Sequence, residues 1–235
     1  TSLSNLYLMS ERDSLYCDVV ERLLKSERLG VEQRVSMLFD YSRYKDERDS
    51  TYVTSFFEEM LELPFDRLEV ADLYVQYLLY RNAAPEKVIP VLDTILSIEP
   101  DNRSALLQQL LFAIERNDYE GVIKCSDNAI LYSPDMLELY YYKGLSYYLL
   151  GRKEESLEVY KQGLEHRSDE ASMDLVSTVY TVMGDTYHEL DMVDECMHAY
   201  DSALVYNPTN TNVLNNYAYY LALENKDLQR ALEMS

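Results

Sequence analysis

Apolar residues recur along this chain at three- and four-residue spacing, the period of one buried helical face. Between Leu137 and Leu150 the stripe is carried by Tyr140, Lys143, Gly144 and Tyr147, and Gly151-Arg152 then interrupts it. A second stripe follows in Ser156, Leu157, Tyr160 and Leu164 and ends at a polar stretch, Arg167–Asp174. Two helices joined by a short break predict an antiparallel pair. The first third shows the same period in Leu15, Val19, Leu23 and Leu24, in Val35, Leu38 and Phe39, and in Phe56, Phe57, Met60 and Leu61. Asp13-Ser14 and Asp49-Ser50 are expected N-caps there, and Gly30 is expected to stop a helix.

The paired stripes repeat. Laying Leu137–Gln162 over Ser177–Ser202 matches Tyr140 with Tyr180, Gly144 with Gly184, Tyr147 with Tyr187 and Tyr160 with Tyr200, a constant shift of 40 residues. Pro100 and Pro134 are 34 apart, and Pro134 to Pro208 spans 74, one period of 34 and one of 40. The six extra residues are assigned to the Arg167–Asp174 connector. A helical glycine costs about 1 kcal/mol against alanine, so Gly144 and Gly184 predict places where the partner helix comes too close for a side chain.

These residues carry a resemblance to the tetratricopeptide repeat (TPR), whose pattern W-x2-L-G-x2-Y, A-x3-F and a closing Pro returns every 34 residues. Tyr180-x2-Met183-Gly184-x2-Tyr187, then Cys196-x3-Tyr200, Ala203 and Pro208, resembles it almost place for place. The unit from Leu137 is similar, departing at Lys143 and Ser168. Units from Glu69 and Arg103 keep fewer positions, Val88, Leu92, Ile95 and Pro100, then Leu106, Tyr119, Ala129 and Pro134. The resemblance implies an all-α, right-handed α-α solenoid of antiparallel helical hairpins. Its expected units are 69–102, 103–136, 137–176 and 177–210, preceded by degenerate hairpins over 1–68 and followed by a further unit begun at 211–235. Asn215–Leu221 also resembles wording found in exported bacterial TPR proteins, which points toward the cell envelope, while unpaired thiols suit a cytosol; location stays open.

Composition narrows the chemistry. Against 42 acidic side chains stand 21 Lys and Arg, a net charge of −21 over 235 residues, with no compensating basic patch, so nucleic acid is not an expected partner. No run of 18 apolar residues occurs, and membrane insertion within this chain is not expected. Cys17, Cys125 and Cys196 are far apart and unsuited to a disulfide framework or zinc knuckle. His188-Glu189 with Cys196 and His198 invites a metal reading, but Met192 stands where a zinc-protease helix needs its second histidine. No Gly-rich phosphate loop, catalytic constellation, metal or cofactor site is expected.

What remains is a binding surface. The resemblance implies that the first helix of each unit lines a concave face. If Tyr140, Gly144 and Tyr147 face inward, positions one residue on are turned by about 100° toward that face. The expected groove therefore holds Tyr77, Tyr80, Tyr141, Tyr148, Asp185, His188, Asn212, Asn215 and Tyr219, with Leu73 and Thr181 at the same register. Known TPR domains clamp terminal carboxylates with Lys, Arg and Asn, whereas the matching places here hold Tyr, Asp and Asn, so such a clamp is not expected. The expected function is a non-catalytic scaffold holding an extended or helical protein segment, neutral or basic partners being favoured. Alternatives are an adaptor that binds through its acidic convex face or its ends, and an enzyme with a cryptic site.

Overall fold

The computed structural model describes residues 13–46, 49–224 and 228–234. Among them every regular element is a helix. Two compact units divide between Ala105 and Leu106. The first contains α1 (Asp13–Leu24), α2 (Val31–Asp46), α3 (Ser50–Leu61), α4 (Arg67–Tyr80) and α5 (Pro85–Ile98). Helix α6 (Arg103–Glu115) carries the division. The second unit continues with α7 (Tyr119–Ile130), α8 (Leu137–Leu149), α9 (Lys153–His166), α10 (Met173–Glu189), α11 (Val193–Tyr206), α12 (Thr211–Leu223) and α13 (Leu228–Met234).

Neighbouring helices pack as hairpins, α4 with α5, α8 with α9, α10 with α11 and α12 with α13. First helices also touch across hairpins, α2 with α4 in one unit and α8 with α10 and α10 with α12 in the other. That pairing is what a stack of α-hairpins produces, and it makes the fold an α-α solenoid. Four hairpin turns each contain one left-handed residue: Asn82 (φ 50°), Asn117 (φ 53°), Gly151 (φ 77°) and Asp191 (φ 59°). The amides around each reach back to the closing helix, as Gly151 N–H donates to Tyr148 O and Arg152 N–H to Tyr147 O. Gly, Asn and Asp reach this conformation at least cost, and the paired amides satisfy carbonyls that a helix end leaves free.

Glycine packing locks the hairpins of the second unit. A Cβ on Gly144 would stand 2.7 Å from Tyr160 Cζ, and one on Gly184 2.7 Å from Tyr200 Cε1. Gly163 answers from α9, where a Cβ would meet Tyr140 Cγ at 2.8 Å. Tyr160, Tyr200 and Tyr217 are fully buried and join Val179, Cys196 and Ala203 in one continuous core. Burial pushes the Cys196 thiol up to about 12, which keeps it protonated and inert.

Several expectations change. Helix α10 starts eleven residues before Gly184, whereas α8 starts seven before Gly144, so four of the six extra residues form an added helical turn. The connector ends at Ser172, whose hydroxyl caps α10. The added turn places the boundary expected at 176/177 inside α10, and the one expected at 68/69 lies inside α4. Asp49 caps α3 by accepting from Tyr52 N–H, while the side chains of Asp13 and Ser14 lie outside the described residues. Gly30 does not stop α1, which ends at Leu24; it precedes α2 and accepts from Arg34 N–H. Leu15 and Phe39, expected in the core, are exposed. Tyr147 and Tyr180 are half-buried instead of interior; the Arg152 guanidinium covers Tyr147, and Tyr206 stacks on Tyr180. Lys143 leaves its apolar stripe to pair with Asp127 of α7 at 2.7 Å.

A buried arginine organises the first unit where the repeat signature is absent. Arg34 is almost completely enclosed, donates to Ser26 O at 2.8 Å and pairs with Asp66 at 3.1 Å. Its guanidinium also lies over the Phe65 ring. One side chain thus ties the turn after α1 to the turn before α4, where Asp66 itself holds a positive φ. A buried charge is tolerated only with such pairing.

Candidate functional site

In the first unit, parallel helices α2 and α4 leave an open groove between them. Its two ends are cavities of about 600 Å³ and 460 Å³ that share Phe39, Leu73 and Gln76 as common wall. Phe39 is 44% exposed and Tyr80 78% exposed, so the aromatic surface is presented to solvent. Tyr77 and Tyr80 line the wider-charged end with Arg43 and Asp46. Tyr77 donates to Asp46 Oδ1 at 2.6 Å, and its ring rests 5.5 Å from that of Phe57. Burial and then the Asp46 carboxylate push the Tyr77 hydroxyl well above its ordinary pKa, so it remains a donor. Leu73 is buried but still forms the groove floor.

Phe39 is a groove residue that the periodicity misplaces. It follows Leu38, which is fully buried, by one position. The same one-residue rotation that sets Tyr141 against Tyr140 turns Phe39 out of the core and into the groove. Reading two adjacent apolar residues as one buried stripe concealed it. Arg43, one turn further along α2, lies with its guanidinium over the Phe39 ring.

In the second unit the expected residues belong to a connected polar and aromatic network. Tyr148 of α8 donates to Glu189 of α10 at 2.6 Å, and Lys153 of α9 pairs with the same carboxylate at 2.8 Å. The bond to Glu189, reinforced by burial, pushes the Tyr148 hydroxyl up to about 12. Lys153 and Tyr148 together hold the Glu189 carboxyl below its usual range. Asp185 accepts from Tyr200 of α11 in a short hydrogen bond and from Asn216 of α12 at 3.0 Å. Desolvation nevertheless raises its pKa. His188 stacks on Tyr220 at 3.7 Å, and Tyr219 meets the edge of Tyr220 at 5.3 Å.

Tyr148, Asp185 and His188 are thus brought together by ties between first helices, with Glu189, Asn216 and Tyr220 as the members that sequence spacing missed. Tyr141 is half-buried and packs on the core. Asn212, Asn215 and Tyr219 face solvent, Tyr219 at 62% exposure. Thr181, expected at the groove register, is buried and donates to Ser177 O within its own helix. Among the residues of the repeat signature, Tyr140 donates to Pro134 O at 2.9 Å, Tyr187 and Ala203 are buried, and Pro208 is exposed. Among the described residues no three His, Cys, Asp or Glu side chains gather as a metal ion would require. No described helix is long and apolar enough to cross a membrane.

No protein-family model and no characterised protein matches the chain by sequence. Solved structures match it by shape. MamA 41-end from Desulfovibrio magneticus RS-1 is 18% identical, with a TM-score of 0.57 over 72% of this chain and 91% of that one. A second MamA crystal structure is 12% identical, with a TM-score of 0.57 over 68% of this chain and 89% of that one. YrrB, described as a TPR protein with an unusual peptide-binding site, is 16% identical and gives a TM-score of 0.56 over 76% of this chain and 88% of its own. At these identities the likeness concerns the fold alone. The chain has the fold of a TPR protein.

Proposed function

We propose that this TPR-fold chain is a non-catalytic interaction scaffold that holds a protein segment against the inner, tyrosine-bearing surfaces of its first helices. The observation that carries the reading is the solvent-open groove between α2 and α4, floored by Leu73 and walled by Phe39, Tyr77 and Tyr80. A solvent-open groove running along two helices suits an extended peptide better than a small molecule, which is held in a cleft that buries most of its surface. Aromatic side chains combining an apolar body with a polar tip are enriched where proteins meet. In the second unit Tyr219, Asn212 and Asn215 offer the exposed counterpart, supported from behind by the Asp185 and Tyr220 contacts. YrrB, with its peptide-binding site, lends the reading the support of a similar fold. The net charge of −21 favours neutral or basic partners and disfavours nucleic acid.

A photo-crosslinking amino acid at Tyr80, and separately at Tyr219, tests the proposal in cells that make the protein. Attachment of a discrete partner from these positions, but not from exposed Glu158 on α9, is the expected result. Attachment from Glu158 alone would replace the groove with an outer-face adaptor.

A further inference from the structure

The two ends of the α2/α4 groove differ in charge, and that difference specifies what it takes. One end is lined by Glu32, Glu69 and Asp72, with no basic side chain in its wall among the described residues. The other carries Arg43 beside Asp46. Between them lies the apolar step of Phe39 and Leu73. Resting on the groove reading above, we propose that the occupant is an extended peptide segment of a basic partner, placing an apolar side chain on Phe39 and Leu73 and a Lys or Arg at the Glu32, Glu69 and Asp72 end.

The two helices bracket the spacing. Glu32 precedes Phe39 by seven residues on α2, and Glu69 precedes Leu73 by four on α4. Four to seven residues rise about 6–10 Å along a helix, which an extended strand covers in about two to three residues. The recognised feature is therefore an apolar residue with a basic one two or three positions away. No basic side chain lines the acidic end among the described residues, and burial with the neighbouring carboxylates of Glu99 and Glu69 raises the pKa of Asp72. A cation arriving there relieves repulsion that the free protein carries, whereas an acidic segment adds to it. Affinity then comes from the apolar anchor and selectivity from the acids.

Selection of random twelve-residue peptides on the full chain tests this, because the probe makes no assumption about sequence. Enriched peptides are expected to pair a large apolar residue with Lys or Arg two or three positions away. A synthetic representative should lose at least tenfold in affinity with its basic residue changed to Glu, and similarly with the Glu69→Gln/Asp72→Asn protein. Glu154→Gln/Glu158→Gln, which removes the same charge elsewhere, should change affinity less than twofold, and unchanged melting of both variants would confirm their folds. Enriched peptides that need Phe39, lost on Phe39→Ser, but are indifferent to the basic residue would overturn this inference and leave the groove reading standing. Equal losses in the two charge variants would also overturn it, reducing the effect to overall attraction. Peptides indifferent to Phe39→Ser, or no enrichment at all, would overturn both.

Discussion

The hairpins α8/α9 and α10/α11 share a glycine–tyrosine lock and treat its hydroxyl differently. In both, the ring of a fully buried tyrosine fills the space vacated by a glycine on the facing helix, Tyr160 over Gly144 and Tyr200 over Gly184. The Tyr200 hydroxyl donates to Asp185, which is further held by Asn216 of the next helix. Forty residues earlier, Leu145 occupies the position equivalent to Asp185. The Tyr160 hydroxyl there makes no hydrogen bond of good geometry among the described residues and has the Ser156 hydroxyl of its own helix as a polar neighbour. The lock itself needs only ring volume, while the hydroxyl is free to be recruited. In α10/α11 it is recruited to tie three helices together at the surface proposed for binding.

The largest expected effect attacks the shared part of that comparison. Gly144→Leu and Gly184→Leu should each lower stability by about 1–3 kcal/mol, the usual cost of overpacking, read as a fall in melting temperature or denaturant midpoint. The buried rings cannot swing aside as an exposed side chain would. Equal melting in wild type and both variants would remove the lock from the account.

Removing the hydroxyls separates the two hairpins. Tyr200→Phe should cost about 1.5–3 kcal/mol, the range for a hydrogen bond to a charged group, because Asp185 then keeps only Asn216. Tyr160→Phe should be neutral or slightly stabilising, since it deletes a buried polar atom that makes no hydrogen bond of good geometry. Chemical denaturation of the two variants side by side decides the matter, and similar losses in both would contradict the assigned difference.

The turns offer a smaller contrast. Gly151 closes α8/α9 at φ 77° and Asp191 closes α10/α11 at φ 59°. Gly151→Ala should cost about 1–2 kcal/mol, the penalty for a left-handed residue with a Cβ, whereas Asp191→Gly should change stability by only a few tenths of that. Thermal melts of both variants provide the check.

The smallest effect is a slope with pH. Asp185 has its folded pKa raised above the unfolded value, chiefly by burial. The native state therefore binds the proton more tightly, and stability from this group is present below the ordinary aspartate pKa and is lost as pH rises through the folded pKa. Asp185→Asn should flatten that part of the stability profile, measured by denaturant titration from pH 3 to neutrality, and an unchanged profile would assign the slope to other carboxylates. No matching slope is expected from the α8/α9 hairpin, whose equivalent position is Leu145.

Much of the architecture was legible in particular residues. The 40-residue coincidence of Gly144 with Gly184 and Tyr160 with Tyr200 identified facing helices before any coordinates, because a glycine in a helix and a large ring on its neighbour are complementary volumes. Gly151 marked a turn for the same local reason, whereas Asn82, Asn117 and Asp191 take the same backbone conformation under residue types common elsewhere in the chain. Groove residues were less legible. A one-residue rotation is 100°, so Leu38 and Phe39 differ completely in exposure while looking alike as apolar letters.

The sequence by itself determined the helical period, the pairing of helices into hairpins and the acidic balance, since each depends on residue type and short spacing. Only the tertiary structure decided that α10 gains a turn at its front, that Arg34 closes two turns of the first unit, and that Asp185 is a structural tie while Phe39 stands open. Those outcomes depend on what a neighbouring helix, distant along the chain, brings to within a few ångströms of a side chain, and no local spacing encodes it.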